Sequence, residues 1–377
     1  MSPTETRIPV PVPDGAGYDI VIRSGGLADL PDLLGDTAKA HRYAVIADSR
    51  VAELYGAAAV SGLGAAGLEA TLFDFPAGEW NKSRDQWAGL TDRMLAAGIG
   101  RDAAVVAIGG GVTGDLGGFV AATYMRGLPV VQIPTSVLAM LDSSVGGKTG
   151  VDTDAGKNLV GAFHHPRLVL IDPDVLETLP RMQRIAGLAE GIKTAAILDE
   201  SLWGWIEGAA TGLTGGDLEA LTELIERTVR HKMGVVSGDP REAGRRAILN
   251  FGHTVGHAIE TLEGYTVLHG EAVAAGMRVE ARLGEALGIT AVGTADRIAA
   301  LLAACDLDRA WERERPAGEI ADAMGLDKKA RASRPRCVFL ERLGAVARAG
   351  DGTWTFPLDD ATLGGPLADA LRPSSEP

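Results

Sequence analysis

Three of the seven histidines fall within a stretch of 17 residues, at His253, His257 and His269. Since His253 and His257 are four residues apart in a segment with helical periodicity, they are predicted to share one helix face. Two imidazoles with a carboxylate, such as that of Glu190 in an earlier helical segment, form the ligand set of a catalytic zinc site with one open position. The segment reads HTVGH and not HEXXH, which excludes the metalloprotease mechanism because its general-base glutamate is missing. A structural role for the pair in an alanine-rich helix is the alternative at this point.

Three consecutive glycines, Gly109-Gly110-Gly111, directly follow the apolar segment Ala103–Ile108. Glycines that close a buried strand and open a helix can bind phosphate, because their N–H groups and the helix dipole face an anion and no Cβ blocks its approach. The run does not follow the G-x-G-x-x-G dinucleotide pattern, so that pattern gives no support here. An ordinary turn between a strand and a helix remains the alternative.

The segment Asp142–Thr149 ends like a P-loop, but the pattern G-x-x-x-x-G-K-[ST] needs glycine where Asp142 stands. A P-loop is therefore excluded. Asp142, Lys148 and the later pair Lys157-Asn158 are expected in polar loops. Taken alone, they are most simply interpreted as solvated loop residues.

The chain carries 36 lysines and arginines against 50 aspartates and glutamates, a formal net charge of −14. Such an acidic surface argues against nucleic acid or an anionic membrane as a partner. Several basic residues nevertheless lie inside apolar segments, where a solvated surface role is a weak explanation. A cleft that gathers basic residues would attract a small polyanionic substrate; the candidates are Arg126, Lys148, Lys193, Lys232, Arg246, Lys328 and Lys329.

Fifty glycines among 377 residues are nearly double the average share of about 7%, which suggests turns that let the backbone approach a ligand. Strand patterns lie at Tyr43–Asp48, Thr71–Phe75, Ala103–Ile108, Val130–Pro134 and Leu168–Ile171, with a helix at Ser83–Ala97. Helical periodicity dominates later, at Ala186–Leu198, Asp217–Val236, Arg245–Leu262, Glu271–Leu287 and Thr294–Cys305. These patterns predict an α/β domain with a parallel Rossmann-like sheet over 1–180 and an all-α domain over 181–377. The active site is expected in the cleft between the domains.

The two cysteines, Cys305 and Cys337, have neither metal-binding nor redox-motif spacing. The N-terminal segment lacks the charged and apolar regions of a signal peptide, and no apolar run approaches 18 residues. We therefore expect a cytoplasmic protein without a membrane partner.

In their order along the chain, these segments resemble 3-dehydroquinate synthases, members of the sugar phosphate cyclase superfamily. The resemblance covers residues 40 to 345 approximately, and its motifs are specific in combination. The matching segments are Gly109–Gly127, Ile133–Val151, Gly156–Phe163, Leu188–Lys193, Ile248–Glu260, Leu268–Met277 and Leu326–Lys329.

The resemblance implies a role for each matching residue. Zn²⁺, with Co²⁺ as a possible substitute, would be bound by Glu190, His253 and His269, and this assignment splits the HTVGH pair. NAD would be bound by Asp48, Glu79, Lys82, Gly110, Gly111, Gly114, Asp115, Thr135, Ser136 and Asp142. The substrate would be bound by Arg126, Lys148, Asn158, Lys193, Lys232, Arg246, Asn250, His257 and one lysine of the Lys328–Lys329 pair. The catalytic set would be Lys193, His257, Asn250, Lys148 and Asp142.

The family reaction converts 3-deoxy-D-arabino-heptulosonate 7-phosphate into 3-dehydroquinate and phosphate, in the shikimate pathway of aromatic amino-acid biosynthesis. The resemblance implies transient oxidation at C5 by NAD, phosphate elimination, re-reduction and an intramolecular aldol closure. Zinc would ease the oxidation as a Lewis acid, while His257 and Lys193 would assist proton movement near C5. No net NADH is expected, and the family implies a homodimer.

Some residues depart from the family pattern. The segment AEGIKTA replaces the usual AEVIKYG at Gly191 and Thr194, and Asp152-Thr153-Asp154-Ala155 replaces an NHP-type sequence. Ser49-Arg50 follows Asp48 where Glu-Asn is more frequent. These departures leave open a paralogous cyclase that makes aminodehydroquinate or another cyclitol. An NAD-dependent polyol or glycerol-phosphate dehydrogenase is the alternative from another class.

Overall fold

The computed structural model describes residues 5–12, 17–153, 156–239, 242, 244–308, 316–326 and 334–372. The chain divides into two compact units, Met1–Leu179 and Pro180–Pro377. In the described part of the chain, none of the helices combines the length and apolar character that a bilayer crossing requires.

The first unit alternates strands and helices. Its strands are β1 (Thr6–Val10), β2 (Tyr18–Ile22), β3 (Arg42–Asp48), β4 (Glu69–Phe75), β5 (Ala103–Gly109), β6 (Val130–Pro134), β7 (Lys148–Thr153), β8 (Gly156–Phe163) and β9 (Leu168–Ile171). Its α-helices are α1 (Leu30–Thr37), α2 (Ser49–Val51), α3 (Ala57–Ala65), α4 (Arg84–Ala96) and α5 (Gly111–Thr123), and a π-helical turn at Ala52–Gly56 joins α2 to α3.

Seven strands form one sheet in the order β1-β2-β9-β6-β5-β3-β4. Only the β1–β2 pair is antiparallel. Every residue of β5 is buried, and its side chains alternate between two apolar clusters, with Val105 in one and Val106 in the other. A parallel strand covered on both faces needs this continuous apolar sequence, which made β5 predictable.

The sheet has a topological switch point between β3 and β5. These strands are neighbours, yet β3 leads to β4 on one side and β5 leads to β6 on the other. In open α/β sheets, ligands bind beyond the carboxyl ends of the strands at such a point. Asp48 ends β3 and Gly109 ends β5, so the fold itself places these two residues at a candidate ligand site.

The expectation of polar loops at Lys148 and at Lys157-Asn158 is wrong. Lys148 begins β7, and Lys157 and Asn158 lie in β8; the two strands form an antiparallel ladder. A two-stranded ladder is marginal alone and needs packing against another element. Here α5 supplies it, because a Cβ on Gly118 would lie 2.5 Å from Thr149 Cγ2. This support comes from outside the segment and is not visible in its own sequence.

The second unit is mostly helical, as predicted. Its helices are α6 (Arg181–Leu198), α7 (Glu200–Gly215), α8 (Leu218–Val236), α9 (His253–Leu262), α10 (His269–Ala286), α11 (Thr294–Ala304), α12 (Ala317–Leu326), α13 (Asp360–Leu363) and α14 (Gly365–Leu371). Two short antiparallel ladders, which sequence analysis does not predict, pair β10 (Arg336–Cys337) with β13 (Phe356–Pro357), and β11 (Leu340–Arg342) with β12 (Ala345–Val346).

The predicted continuous helix Arg245–Leu262 is interrupted. A 3₁₀ turn covers Arg245–Asn250, and α9 begins only at His253. Gly252 causes the break, because its φ of 78° is left-handed and a Cβ there would lie 2.5 Å from Met277 Cγ. Gly276 of α10 faces the carbonyl of Gly252 with no room for a side chain. Part of the glycine surplus therefore serves close packing of α9 on α10, which sequence analysis did not predict.

Candidate metal and cofactor sites

In the second unit, one buried carboxylate faces two histidines. Glu190 of α6 is 2% exposed, and its Oε1 lies 3.6 Å from His253 Nε2 and 3.7 Å from His269 Nε2. These separations exceed hydrogen-bond length, and among the described residues Glu190 Oε1 has no hydrogen-bond donor, whereas Oε2 forms an ion pair with Lys193 Nζ. Ligand atoms about 2.1 Å from one tetrahedral zinc ion lie roughly 3.4 Å apart. The spacing therefore fits a shared metal ion better than direct contacts.

The other ring nitrogen of each histidine has its own acceptor. His253 Nδ1 lies 3.2 Å from the carbonyl oxygen of Phe251, and His269 Nδ1 lies 3.3 Å from Glu260 Oε2. A proton on each Nδ1 would donate to these acceptors and leave both Nε2 lone pairs directed towards Glu190. Metal-binding histidines are held in the same way, by a carbonyl or carboxylate behind the ring. Glu190, His253 and His269 thus fit a three-ligand zinc site.

A second group, formed by His257, Glu260 and His269, also brings its ligand atoms within 4.8 Å of one another. Its carboxylate is the acceptor for His269 Nδ1, and His257 Nε2 lies 4.0 Å from the same oxygen. The His257 side chain is 44% exposed, against 13% for His253. The first group fits a metal better, and it leaves the His257 imidazole accessible.

The charges around the candidate metal site shift the pKa values of its three proposed ligands. Burial alone would raise the pKa of Glu190, but the ion pair with Lys193 and the two histidines lowers it well below the usual value. Burial and the charge of Lys193 lower the pKa of His253 well below its ordinary value, so this imidazole is neutral at pH 7. Burial would lower the pKa of His269, but Glu190 and Glu260 raise it to about 9. A metal ion would therefore displace one proton from His269 on binding.

Predicted substrate-binding residues of this unit are buried despite their charge. Lys193 is 2% exposed, Lys232 is 5% exposed and Arg246 is 3% exposed. The Arg246 backbone N–H donates to Asp239 Oδ2 at 2.9 Å, and Asn250 Nδ2 donates to Glu242 Oε1 at 2.7 Å. An anionic substrate would add a further partner for these buried cations. Lys328 and Lys329 lie outside the described residues.

In the first unit, Asp48 connects β3 to the glycine turn. Its Oδ1 accepts the N–H groups of Arg50 and Val51, and its Oδ2 accepts a 3.3 Å hydrogen bond from Thr113 Oγ1 in α5. An open groove of about 550 Å³, lined by Ser49 and Phe75 among others, begins beside it. The two strand ends at the switch point are therefore tied together next to a concave surface.

The start of α5 fits a phosphate ligand. Gly110 precedes the helix in extended conformation, and no side chain caps the helix N-terminus. A Cβ on Gly111 would lie 3.1 Å from Ser143 Oγ, a buried hydroxyl for which the described residues provide no hydrogen-bond partner. Thr135 N–H donates to the Gly109 carbonyl at 2.9 Å, which fixes the turn against the end of β6. Free helix N–H groups, missing side chains and an unsatisfied hydroxyl are features of a pyrophosphate site.

The buried lysine Lys82 contacts two further predicted cofactor residues, Asp115 and Glu79. Lys82 is 5% exposed, and its Nζ lies 3.3 Å from Asp115 Oδ2 and 3.4 Å from Glu79 Oε1. It also donates a 2.9 Å hydrogen bond to Asn158 Oδ1. Burial alone would lower the pKa of Lys82, but the carboxylates raise it. Burial raises the pKa of Asp115 to about 6, although Lys82 opposes the shift.

Asp152 belongs to the same cluster, and sequence analysis assigned it no role. Its Oδ1 accepts the Asn158 N–H at 2.7 Å and lies 3.6 Å from Lys82 Nζ, and its own N–H donates to the Lys82 carbonyl at 2.7 Å. Asn158 has a left-handed φ of 54°, which this bond helps to hold. The only sequence signal for Asp152 was that its segment departs from the family pattern.

Sequence analysis also missed Glu260, although Glu260 follows His253 by two helical turns on the same face.

The structure does not bring every predicted residue of this unit to the Lys82 cluster. Arg126 is exposed and follows the C-terminal end of α5, so a 13-residue helix of roughly 20 Å separates it from the glycine turn. Lys148 is exposed at the start of β7, opposite Phe163, whereas Asn158 is near the other end of the ladder. Ser136 Oγ accepts the Ala139 N–H at 3.3 Å, and Asp142 lies in a π-helical turn at Ala139–Ser143.

Comparison with known proteins gives one consistent result. The family model for the 3-dehydroquinate synthase N-terminal region matches residues 72–186, and the model for its C-terminal region matches residues 187–330. A 3-dehydroquinate synthase from Symbiobacterium thermophilum is 43% identical over 331 residues, covering 87% of this chain and 92% of the relative.

Solved structures of sugar phosphate cyclases are also similar. A 2-deoxy-scyllo-inosose synthase complexed with carbaglucose-6-phosphate, NAD⁺ and Co²⁺ has a TM-score of 0.88 at 26% identity, covering 97% of this chain and 99% of the other. A 2-epi-5-epi-valiolone synthase from Streptomyces hygroscopicus with NAD⁺ and Zn²⁺ bound has a TM-score of 0.84 at 26% identity, covering 96% and 98%.

Proposed function

Since the chain belongs to the 3-dehydroquinate synthase family, we propose that it converts 3-deoxy-D-arabino-heptulosonate 7-phosphate into 3-dehydroquinate and phosphate. It acts as a carbon-oxygen lyase that uses NAD and a divalent metal, with zinc as the native ion. The observation that carries the proposal is the Glu190 carboxylate between two histidine Nε2 atoms, in a chain whose two halves both match the family.

The metal site is formed by Glu190, His253 and His269. When bound, a zinc ion supplies Lewis-acid polarisation of substrate oxygens. Lys193 keeps Glu190 ionised through their buried ion pair and brings a charge to the site for the substrate. Phe251 and Glu260 orient the two imidazoles from behind. This division of roles explains why a glutamate and a lysine are both fully buried in α6.

The NAD site is formed around the glycine turn and the Lys82 cluster. NAD would supply reversible hydride transfer there. Gly110 and Gly111 let the pyrophosphate approach the start of α5, and Asp48 binds the adenosine ribose beside the open groove. Glu79, Lys82 and Asp115 hold the nicotinamide half, with Asp115 fixed by its contact to Lys82.

The substrate is bound by its charges. Its carboxylate and phosphate are recognised by Lys148, Lys193, Lys232, Arg246, Arg126 and the Lys328–Lys329 pair through charge-assisted hydrogen bonds. Asn158 and Asn250 add neutral contacts, and each side chain is already oriented by an intramolecular partner, Lys82 and Glu242 respectively. Asp142 joins the catalytic set with Lys148. The predicted homodimer stays a prediction.

His257 is proposed to move a proton at its Nε2 atom. Its exposed ring lies beside the metal ligands, with ring centroids 5.3 Å from His253 and 5.9 Å from His269. Glu260 lies behind it at 4.0 Å and can stabilise the protonated form. An accessible imidazole beside a buried carboxylate suits general acid–base work near neutral pH.

Two departures from the family pattern have explanations within the fold. A Cβ on Gly191 would lie 3.0 Å from Leu224 Cδ1, so Gly191 makes room for the side chain of Leu224 from α8. Asp152 binds Lys82 and Asn158, both of which follow the family pattern. Neither departure alters a proposed ligand of the metal.

The proposal is tested by incubating the protein with NAD⁺, Zn²⁺ and the heptulosonate phosphate. One phosphate should be released for each 3-dehydroquinate formed, and the NADH absorbance should not accumulate. Accumulating NADH would show a dehydrogenase. Turnover of 2-epi-5-epi-valiolone or inosose precursors, with none of the heptulosonate phosphate, would show a paralogous cyclase.

A further inference from the structure

Glu280 is a fully buried carboxyl group that the proposed reaction does not use. It lies on α10, 11 residues after His269, and its exposure is 0%. A buried carboxyl group is costly unless polar partners compensate for the lost water. Its partners therefore indicate what it does.

Both oxygens of Glu280 accept backbone hydrogen bonds from the start of α9. Oε2 accepts the Gly252 N–H at 2.8 Å, and Oε1 accepts the Val255 N–H at 3.3 Å. The first N–H groups of a helix lack partners within the helix and are usually capped by the side chain that precedes it. Gly252 occupies that position and has no side chain, so Glu280 provides the cap from the neighbouring helix.

Water cannot replace this cap. Gly252 and Gly276 bring the backbones of α9 and α10 into direct contact, and Met277 fills the space beside Gly252. Burial raises the pKa of Glu280 to about 8, against the backbone bonds, and both oxygens can accept these bonds whether or not the carboxyl is protonated. Loss of one acceptor would leave a buried N–H group unsatisfied.

The capped turn is the turn that carries His253. Glu280 therefore fixes the beginning of α9 relative to α10, and α10 begins with His269. Metal ligands must be held to within about 0.5 Å of their productive positions. We propose that Glu280 is a positioning residue for the metal centre, which sets the separation of His253 from His269 by capping α9 from α10. This inference rests on the proposed Glu190–His253–His269 site.

The chain offers a matched control on the same helix. Glu285, five residues further along α10, accepts the Ala295 N–H at 2.8 Å at the start of α11. It is also a cap provided from one helix to another. No proposed metal ligand lies on α11, so a change at Glu285 tests the loss of such a cap without touching the metal centre.

The experiment compares Glu280→Gln, Glu280→Asp and Glu285→Gln with the unaltered protein. Zinc affinity is measured by competition with a chromophoric chelator, the visible spectrum is recorded with Co²⁺, and unfolding temperatures are measured with and without zinc. In Glu280→Gln the amide nitrogen cannot accept an N–H, and in Glu280→Asp the carboxyl group is kept but is one methylene too short. We expect both Glu280 variants to bind zinc at least tenfold more weakly, with an altered Co²⁺ spectrum and a smaller zinc-induced rise in unfolding temperature.

The control variant Glu285→Gln should lower the unfolding temperature equally with and without zinc.

The outcomes are distinguishable. If the Glu280 variants bind zinc like Glu285→Gln, or if Glu280→Asp matches the unaltered protein, the positioning role is wrong. If both Glu280 variants fail to fold while Glu285→Gln folds, Glu280 is a folding determinant and the proposal is equally wrong. If the unaltered protein binds no zinc, the proposed metal site itself fails.

Discussion

Glu260 Oε2 lies 3.3 Å from Nδ1 of His269, while Glu190 faces Nε2 of the same ring. The imidazole of His269 thus lies between two buried carboxylates. Glu260 lies behind the ring, and Glu190 lies on the side of the candidate metal position. The rear carboxylate fixes the tautomer and the orientation of the ring.

Replacing Glu260 by alanine should weaken zinc binding by about 10- to 100-fold, since His269 would lose its orienting partner. Glu260→Gln should bind zinc more tightly than Glu260→Ala, because the amide oxygen can still accept from Nδ1. Chelator competition on both variants measures the difference. Equal zinc affinity in Glu260→Ala and the unaltered protein would refute the role of this contact.

Alanine variants of His269 and His257 should differ in how much zinc they retain. His269→Ala should lose zinc and activity together, because a ligand is removed. His257→Ala should retain zinc and lose turnover, because its exposed ring only handles a proton. Elemental analysis of the purified variants, with activity measured in parallel, decides between these roles. Loss of zinc from His257→Ala and its retention in His269→Ala would reverse the ligand assignment.

Lys82→Met should destabilise the first unit strongly. The substitution leaves Glu79, Asp115 and Asp152 facing one another without their shared buried cation. Breaking a fully buried pair costs about 3–5 kcal/mol, and the loss here should be smaller because these carboxylate side chains are 19% to 36% exposed. Lys157→Met is the control, because Lys157 is 23% exposed and its Nζ lies 3.2 Å from Glu79 Oε1, itself a partly exposed side chain; pairs of this kind contribute about 0–1 kcal/mol. Denaturant unfolding of the NAD-free proteins measures both. A similar loss in the two variants would contradict the central position of Lys82.

Asp115 should make stability fall as the pH rises. Burial raises its pKa from 3.8 to about 6 in the folded state, so the folded protein holds this proton in a range where the unfolded chain has lost it. Stability is therefore lost between pH 4 and 6, by at most about 3 kcal/mol, and no further above pH 6. Asp115→Asn removes this titration, whereas Asp92→Asn on the exposed face of α4 does not. Denaturant unfolding at several pH values should show the Asp115→Asn variant gaining stability relative to the unaltered protein up to pH 6. A pH-independent difference would show that Asp115 is already ionised at pH 4.

The sequence predicted the parts of the fold whose signals are local. Strand β5 and the glycine turn were predictable because an apolar run leads directly into three glycines. Helix α4 was predictable because Ser83 caps it at the predicted start. The capping role of Glu280 could not be predicted, because its partner Gly252 lies 28 residues away. The segment EARLGE around it has the pattern of an ordinary exposed helix. The ladder of β7 with β8 was missed for the same reason, since its support comes from α5. The candidate metal ligands could be proposed because three histidines are close in sequence, although the choice among them rested on the family resemblance.

The central claim is that the hydride removed from the substrate returns to it within one turnover. The most direct test uses heptulosonate phosphate deuterated at C5, with the zinc-loaded protein and NAD⁺. The account predicts that 3-dehydroquinate retains the deuterium at the carbon derived from C5, with one phosphate released for each molecule of product. Deuterium that accumulates in the reduced cofactor, or product without the label, would contradict the account.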